Sequence, residues 1–450
     1  MMSPVSLNSE VKTSGRGLAT VMILSWLAVF FDGIDTFMYG ATIPSMTADA
    51  GFGMTDLHAG NIGSYATFGM LIGALCAGVM TDAIGRRRGI IICTIIFSVA
   101  SAGCAIAPAA GTFGVFRTIA GVGLGGLLPT AIAMVSEFAS DRRRNLSIGI
   151  LMTAHQAGGI IAGFLGITVL QTFGWRSMYW VGVIPLILLV PLIFALLPES
   201  LSFLVAKGKY DKAQLTAQRL GMEVPAAPAK GSADKGSFLR NLGQLFQRRN
   251  GAITLLFWAA SFGGLLLVYG VSTWLPKLMA AEGYALGSSL SFLIVINLGG
   301  IFGMLVAGRT SDSLGAVKVS MLWFLVTAVA VFLLSIKMPL ALTYVVVFIA
   351  GFFLFSAQTM VYAAVAFVFP TRTRGSAIGW TTGMGRFGAV FGPWMGGQLL
   401  ALGLHDWGFG AFAAFAILSM IMLLAILFIT KSTGGRAVDY SPETSIGASA

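Results

Sequence analysis

The chain has 450 residues, of which 56% are hydrophobic and only 10% charged, with a mean hydropathy of +0.87. A soluble domain carries about a quarter charged residues, so this composition excludes an ordinary soluble enzyme or binding domain and points to a polytopic membrane protein. The net charge of +11 would suit a nucleic-acid binder, but its distribution along the chain has another cause.

In chain order, apolar segments long enough to cross a ~30 Å hydrocarbon core lie at residues 18–44, 58–81, 89–108, 112–138, 146–171, 178–198, 251–275, 288–309, 319–336, 340–369, 375–403 and 409–430. They predict an all-α integral membrane fold with twelve transmembrane helices. An even number puts both termini on one side of the bilayer. Of the 28 Lys and Arg, 23 fall in the termini and loops of that side. Arg176, Lys277 and Lys337 lie on the other side, and Arg117 and Arg386 lie within spans. Positive charge marks cytoplasmic loops, so both termini are expected in the cytoplasm. The basic charge then reflects topology, and no nucleic-acid partner is needed.

One long hydrophilic connection, 199–250, contains the linker-like stretch "EVPAAPAKGSADKG". Its beginning reads as a partly amphipathic helix on the inner surface. The expected organisation is a six-helix bundle (1–198), a cytoplasmic loop (199–250), a second six-helix bundle (251–430) and a cytoplasmic tail (431–450). Cys76, Cys93 and Cys104 all sit in apolar segments and read as buried small hydrophobes. No disulfide framework or metal-ligand spacing is visible.

The two halves repeat each other at one constant offset along the chain. Gly78, Asp82, Gly85 and Arg88 match Gly308, Asp312, Gly315 and Lys318. Arg144 and Gly149 match Arg374 and Gly379, Gly121 matches Gly351, and Gly33, Tyr39 and Gly40 match Gly263, Tyr269 and Gly270. Such pseudo-repeats around a central cavity describe a secondary transporter with its site between the halves.

The motifs carry a family resemblance. "GVMTDAIGRRRG" resembles the loop motif of the major facilitator superfamily, and "RTIAGVGLGG" its fourth-helix motif. "DGIDTFMYG" and "PESLSFL" resemble signatures of its aromatic acid:proton symporter branch. The resemblance implies import of a small aromatic carboxylate (benzoate, hydroxybenzoate, gentisate or protocatechuate type) across a bacterial inner membrane. It also implies a functional monomer in the bilayer, driven by the proton gradient, with no cofactor. The fifth span, "HQAGGIIAGFLG", lacks the Gly-Pro motif of drug antiporters. A drug or organic-anion exporter is thereby disfavoured. No nucleophile–base constellation or phosphate loop suggests an enzyme, and no sizeable cytosolic domain suggests a receptor.

Two carboxylates, Asp32 and Asp35, interrupt the first apolar span. Three residues apart, they share a helix face. Their equivalents in the second half are Phe262 and Leu265, so the duplicated scaffold does not demand acids there. A charged carboxylate at membrane depth costs several kcal/mol unless paired or hydrated, which suits proton coupling, a fixed ion pair or a packing hydrogen bond. At 1.5 Å per residue, Asp35 lies about 25 Å above the inner edge and Arg117 about 22 Å. Arg117 is therefore expected to pair with Asp35, either as a coupling element or as a structural pair.

Arg386, about 16 Å up and near midplane, is expected to bind the substrate carboxylate with its planar fork, or to pair permanently with Asp32. His155 and Gln156 fall mid-span and could hydrogen-bond the ligand or simply pack. Asn297 and Tyr269 are further candidates of this kind. Trp380, with Phe31, Phe37, Tyr39 and Phe262, could stack on an aromatic ring. Asp82 and Asp312, with Arg86, Arg88 and Arg309, sit at inner helix ends. They are expected to fasten an inner gate through helix caps and pairing with the adjacent Arg, with Gly78 and Gly85 permitting close approach.

Overall fold

A computed structural model of the chain describes residues 15–139, 144–220, 222, 224, 243, 245–247, 249–431 and 434. Among them every regular element is helical. The first half contains α1 (Gly15–Ala48), α2 (Asp56–Ile84), α3 (Arg86–Ile106), α4 (Ala110–Phe138), α5 (Arg144–Leu165) and α6 (Trp175–Leu196). The second contains α7 (Arg249–Ala281), α8 (Leu286–Leu314), α9 (Ala316–Leu333), α10 (Leu340–Val368), α11 (Thr371–Ala401) and α12 (Gly408–Thr430). Two short helices, Leu201–Ala206 and Tyr210–Leu220, follow α6 where a surface helix was expected. The Pro/Ala linker, Arg142, Arg143 and nearly all of the 431–450 tail lie outside the described residues.

Among the described residues, eleven helices are long and apolar enough to cross a membrane. The twelfth span, α11, falls short on composition, because its 31 residues are rich in Gly and include Arg374 and Arg386. Packing identifies it instead: α11 lies against α7 on one side and α2 on the other.

The duplication is visible in the packing. In the first half α1 packs on α5, α2 on α4, and α3 on α4 and α6. In the second, α7 packs on α11, α8 on α10, and α9 on α10 and α12. Glycines make the closest approaches. A methyl at Gly69, Gly73 or Gly121 would strike the backbone oxygen of Thr118, Val122 or Ala66. At Gly299, Gly303 and Gly351 the atoms struck belong to Phe348, Phe352 and Ile296. Each of these stands at the position that the sequence repeat assigns to its counterpart. Small residues are the means by which membrane helices approach closely. The turns between α2 and α3 and between α8 and α9 likewise share a left-handed glycine, Gly85 at φ 99° and Gly315 at φ 86°.

The halves meet through α2 with α11 and α5 with α8. At the end of the bundle away from the termini, the outer end in the expected orientation, this seam is sealed. Gly60 rests on Gly397, Gly63 on Pro393, Gly163 on Leu290 and Ile294, and Gly40 on the Ser272 carbonyl of α7. Ser64 donates to the Val390 carbonyl at 2.7 Å. Lys277 of α7 reaches both Asp56 of α2 and Thr47 of α1. At the inner end the same helices stand apart. Gly78, Gly149, Gly308 and Gly379 have nothing within 4 Å of a modest side chain. The seam is therefore open at the end that carries the termini, which is an inward-open conformation in the expected orientation. Cys76, expected inside, is exposed on α2, while Cys93 and Cys104 are buried.

Candidate functional site

A layer of buried polar and charged side chains lies near mid-span. Asp32 and Asp35 lie on one face of α1, 4% and 0% exposed. Their surroundings differ. Arg117 of α4 donates to Asp35 at 2.6 Å, with both side chains almost fully buried. The guanidinium also lies 5.1 Å over the Tyr39 ring. Tyr39 in turn donates to the Ala59 carbonyl at 2.6 Å. The second oxygen of Asp35 and the Nε of Arg117 have no partner. The pair belongs wholly to the first half. Asp32 is different: among the described residues no hydrogen bond or ion pair reaches its carboxylate.

Arg386 projects from α11 in the opposite half. Its one hydrogen bond among the described residues runs from Nη1 to the Tyr269 hydroxyl of α7, at 3.2 Å. Arg386 lies within electrostatic reach of Asp32 and His155, without an ion pair to Asp32. The permanent Asp32–Arg386 pair allowed by the sequence is thus not made in this conformation. His155 and Gln156 of α5 hydrogen-bond each other at 3.1 Å. The His155 ring meets Phe37 edge-on at 5.2 Å, and Phe37 meets Phe355 of α10 at 6.3 Å. This aromatic roof spans the two halves above the charged layer. Through His155, which lies within electrostatic reach of Arg386, this cluster adjoins the guanidinium's layer.

Three other candidates sit elsewhere. Asn297 is fully buried in the α5–α8 seam, against Gly159. Its amide nitrogen donates to Leu293 of its own helix at 2.8 Å, and its oxygen is left unpartnered. It seals the seam and does not face open space. Trp380 stacks on Trp258 of α7 at 5.8 Å, nearer the inner end. Phe262 packs among Phe391 and Phe415 within the second half.

The expected gate is also rearranged. Asp82, Asp312, Arg88 and Arg309 are exposed, and no ion pair among the described residues involves them. Arg86 does not pair with Asp82. It reaches Glu137 at the end of α4 and the Ser200 hydroxyl. Glu137 also accepts from the Ser202 amide at 2.7 Å and the Ser200 hydroxyl at 2.7 Å. Glu199 accepts from the Arg87 amide at 3.0 Å, close over Gly85. The physical reason is the open seam: with α11 withdrawn, Asp82 has no helix end to cap. Gly78 likewise faces open space.

Sequence reasoning missed several of these groups. Glu137, Glu199 and Ser200 bind the segment after α6 to the first half; the acids in "PESLSFL" and at the end of α4 were the available signal. Tyr362 of α10 approaches Gln358 and Ser261 and lies within electrostatic reach of Arg386. Gln358 donates to Ser261 at 3.2 Å. Nothing in the local sequence distinguishes these polar residues from others in spans.

Comparison with known proteins identifies the family. The profile of the Major Facilitator Superfamily matches residues 25–360 and 293–443. The chain is 34% identical to the benzoate transport protein of Acinetobacter baylyi, covering 90% of this chain and 89% of that one. It is 35% identical to the gentisate transporter of Corynebacterium glutamicum, covering 93% and 89%. It is 31% identical to the gallate transporter of Pseudomonas putida, covering 85% and 86%. In fold it resembles the xylose transporter XylE of E. coli in a partially occluded inward-open conformation, with a TM-score of 0.71 at 17% identity over 91% of this chain and 99% of that one. The repeats, the polar layer between the halves and these similarities lead to one conclusion: the chain belongs to the Major Facilitator Superfamily, a membrane transporter of its aromatic acid branch.

Proposed function

We propose that the protein carries a small aromatic carboxylate across the bacterial inner membrane by alternating access, coupled to a proton, with both termini in the cytoplasm. The observation that carries this reading is Arg386. It is a guanidinium at mid-span whose hydrogen-bond partner is a neutral tyrosine. Such a cation is costly inside a membrane, and a ligand carboxylate would satisfy its fork. His155, within electrostatic reach of Arg386, pairs with Gln156 and meets the Phe37 ring, so this layer supplies hydrogen-bonding groups for ring hydroxyls beside an aromatic cluster. The named cargoes of the relatives, benzoate, gentisate and gallate, all combine a ring with a carboxylate.

Asp32 is the acid that can take up and release a proton without first breaking an ion pair. Arg386 stands across the gap from it, so an arriving anion and a proton on Asp32 offset each other's charge. Asp35 and Arg117 are the second coupling element, bound to each other when the outer end is sealed. The test is uptake into proteoliposomes of labelled benzoate, hydroxybenzoates and gentisate, with and without an inward proton gradient. Wild type should accumulate its substrate only with the gradient. Asp32→Asn should keep exchange and lose accumulation. Full accumulation by the mutant would sink the assignment of Asp32.

A further inference from the structure

Between α1, α2, α4 and α7 lies a small void of about 20 Å³. Its walls include Thr36, Tyr39 and Arg117 from the first half and Tyr269, Ser272 and Thr273 from the second. Three of these residues have a buried polar atom with no partner: Thr36 Oγ1, Arg117 Nε and Ser272 Oγ. Buried polar groups are nearly always hydrogen-bonded. Three orphans around one void point to a shared partner.

The volume and the chemistry select the occupant. A water needs roughly 10–15 Å³ of such space and two to four polar partners. Both conditions are met. A carboxylate is too large for the space, and the Arg117 charge opposes a metal cation. We propose that this void holds one ordered water that joins Arg117 of the first half to Ser272 of the second. Arg117 Nε donates to the water oxygen, and the hydroxyls of Thr36 and Ser272 complete its hydrogen bonds.

The walls come from both halves, so the bridge exists only while the outer seam is closed. It stabilises the inward-open state and holds Arg117 in the geometry that pairs with Asp35. When the seam opens, bulk water replaces the single molecule and hydrates the ion pair from outside. The buried pair thereby responds to the position of the opposite half.

The first test is a density map of the wild-type chain in the inward-open state, at a resolution that shows other buried waters. A peak within hydrogen-bond distance of Thr36, Arg117 and Ser272 is expected; a featureless void there overturns the proposal. The second uses Ser272→Thr, which adds a methyl to the void. Displacing a bridging water leaves Arg117 and Thr36 unpartnered, so the apparent Tm should fall by about 2 °C or more. If the void were dry, filling it would raise the Tm, which also overturns the proposal. The third is the spin-label distance between the outer ends of α2 and α7. Ser272→Ala should raise the outer-open population by about threefold. An unchanged distribution would refute the state dependence. Should either variant fail to fold, the wild-type map still decides.

Discussion

The two halves fill one packing site in opposite ways. In the first half the site holds Asp35 and Arg117, an ion pair with both side chains almost fully buried. In the second, the positions matched by the repeat hold Leu265 and Val347, which are buried hydrocarbon. The surrounding helix packing, the Gly69/Gly299, Gly73/Gly303 and Gly121/Gly351 contacts and the Gly85/Gly315 turns are alike. The fold therefore does not need charge at this site, because hydrocarbon packs it without a desolvation penalty. Under the proposed coupling role, the charge supplies the ability to change partners, which a hydrocarbon pair lacks.

The sharpest way to break this comparison is to copy one half into the other. Arg117→Val or Asp35→Leu alone leaves a buried charge without its partner and should cost about 3–5 kcal/mol of stability. The double variant should recover that loss, since a buried pair is often matched by hydrophobic residues. It should also lose gradient-driven uptake. Thermal unfolding of all three variants, with uptake of the double one, checks both halves of the statement. A double variant that still accumulates substrate would reduce the pair to packing.

Next in size is Arg386, the charge held by the second half alone; its equivalent in the first is Gln156. Arg386→Lys keeps the charge and loses the planar fork. Substrate affinity should fall about tenfold, a difference of ~1.4 kcal/mol. Equilibrium binding by calorimetry measures it, and an unchanged Kd removes Arg386 from the site.

A smaller effect belongs to the outer seam, where Lys277 meets Asp56 across the halves. Both side chains are partly solvated, so the pair contributes about 0.2–1 kcal/mol. Lys277→Gln should raise the outer-open fraction by no more than about fivefold, and the charge-swapped pair should restore it. Accessibility of an outer-cavity cysteine to a membrane-impermeant thiol reagent reports the change.

The smallest effect concerns Asp49, just beyond α1. The Trp175 indole donates to its carboxylate at 3.0 Å and, with Arg176 nearby, holds its pKa below the ordinary value. A depressed carboxylate stabilises the fold above its unfolded pKa, about 4. That contribution is lost as pH falls through the folded value. The Tm difference between wild type and Asp49→Asn should be positive at neutral pH and shrink below pH ~4. A difference that persists in acid would show that the stabilisation does not come from the ionised carboxylate.

Much of this architecture was legible in the chain. Hydrophobic runs marked all twelve helices, α11 included, although its glycines and arginines make it less apolar than the rest. The constant offset between the halves forecast the repeated packing, because glycines that admit a neighbouring carbonyl recur with the contacts they make. Depth along α1 and α4 was enough to bring Asp35 level with Arg117, since both helices rise at a fixed step per residue. Depth alone did not reveal that Asp32 is left without a partner, or that Arg386 rests on Tyr269.

By itself, then, the sequence determined the class, the span order, the duplication and the residues with enough charge to matter, because these follow from local hydrophobicity and helical rise. Only the tertiary structure decided which surfaces meet. It sealed the seam at the end away from the termini and parted it at the other, leaving Asp82 exposed while Arg86 turned to Glu137. It sank Asn297 into the α5–α8 contact and gathered Tyr362, Gln358 and Ser261 near Arg386. The physical reason is that both ends of the seam carry similar small and apolar residues. A membrane transporter needs each end to close in turn, so local sequence leaves the choice of end to the contacts between the halves.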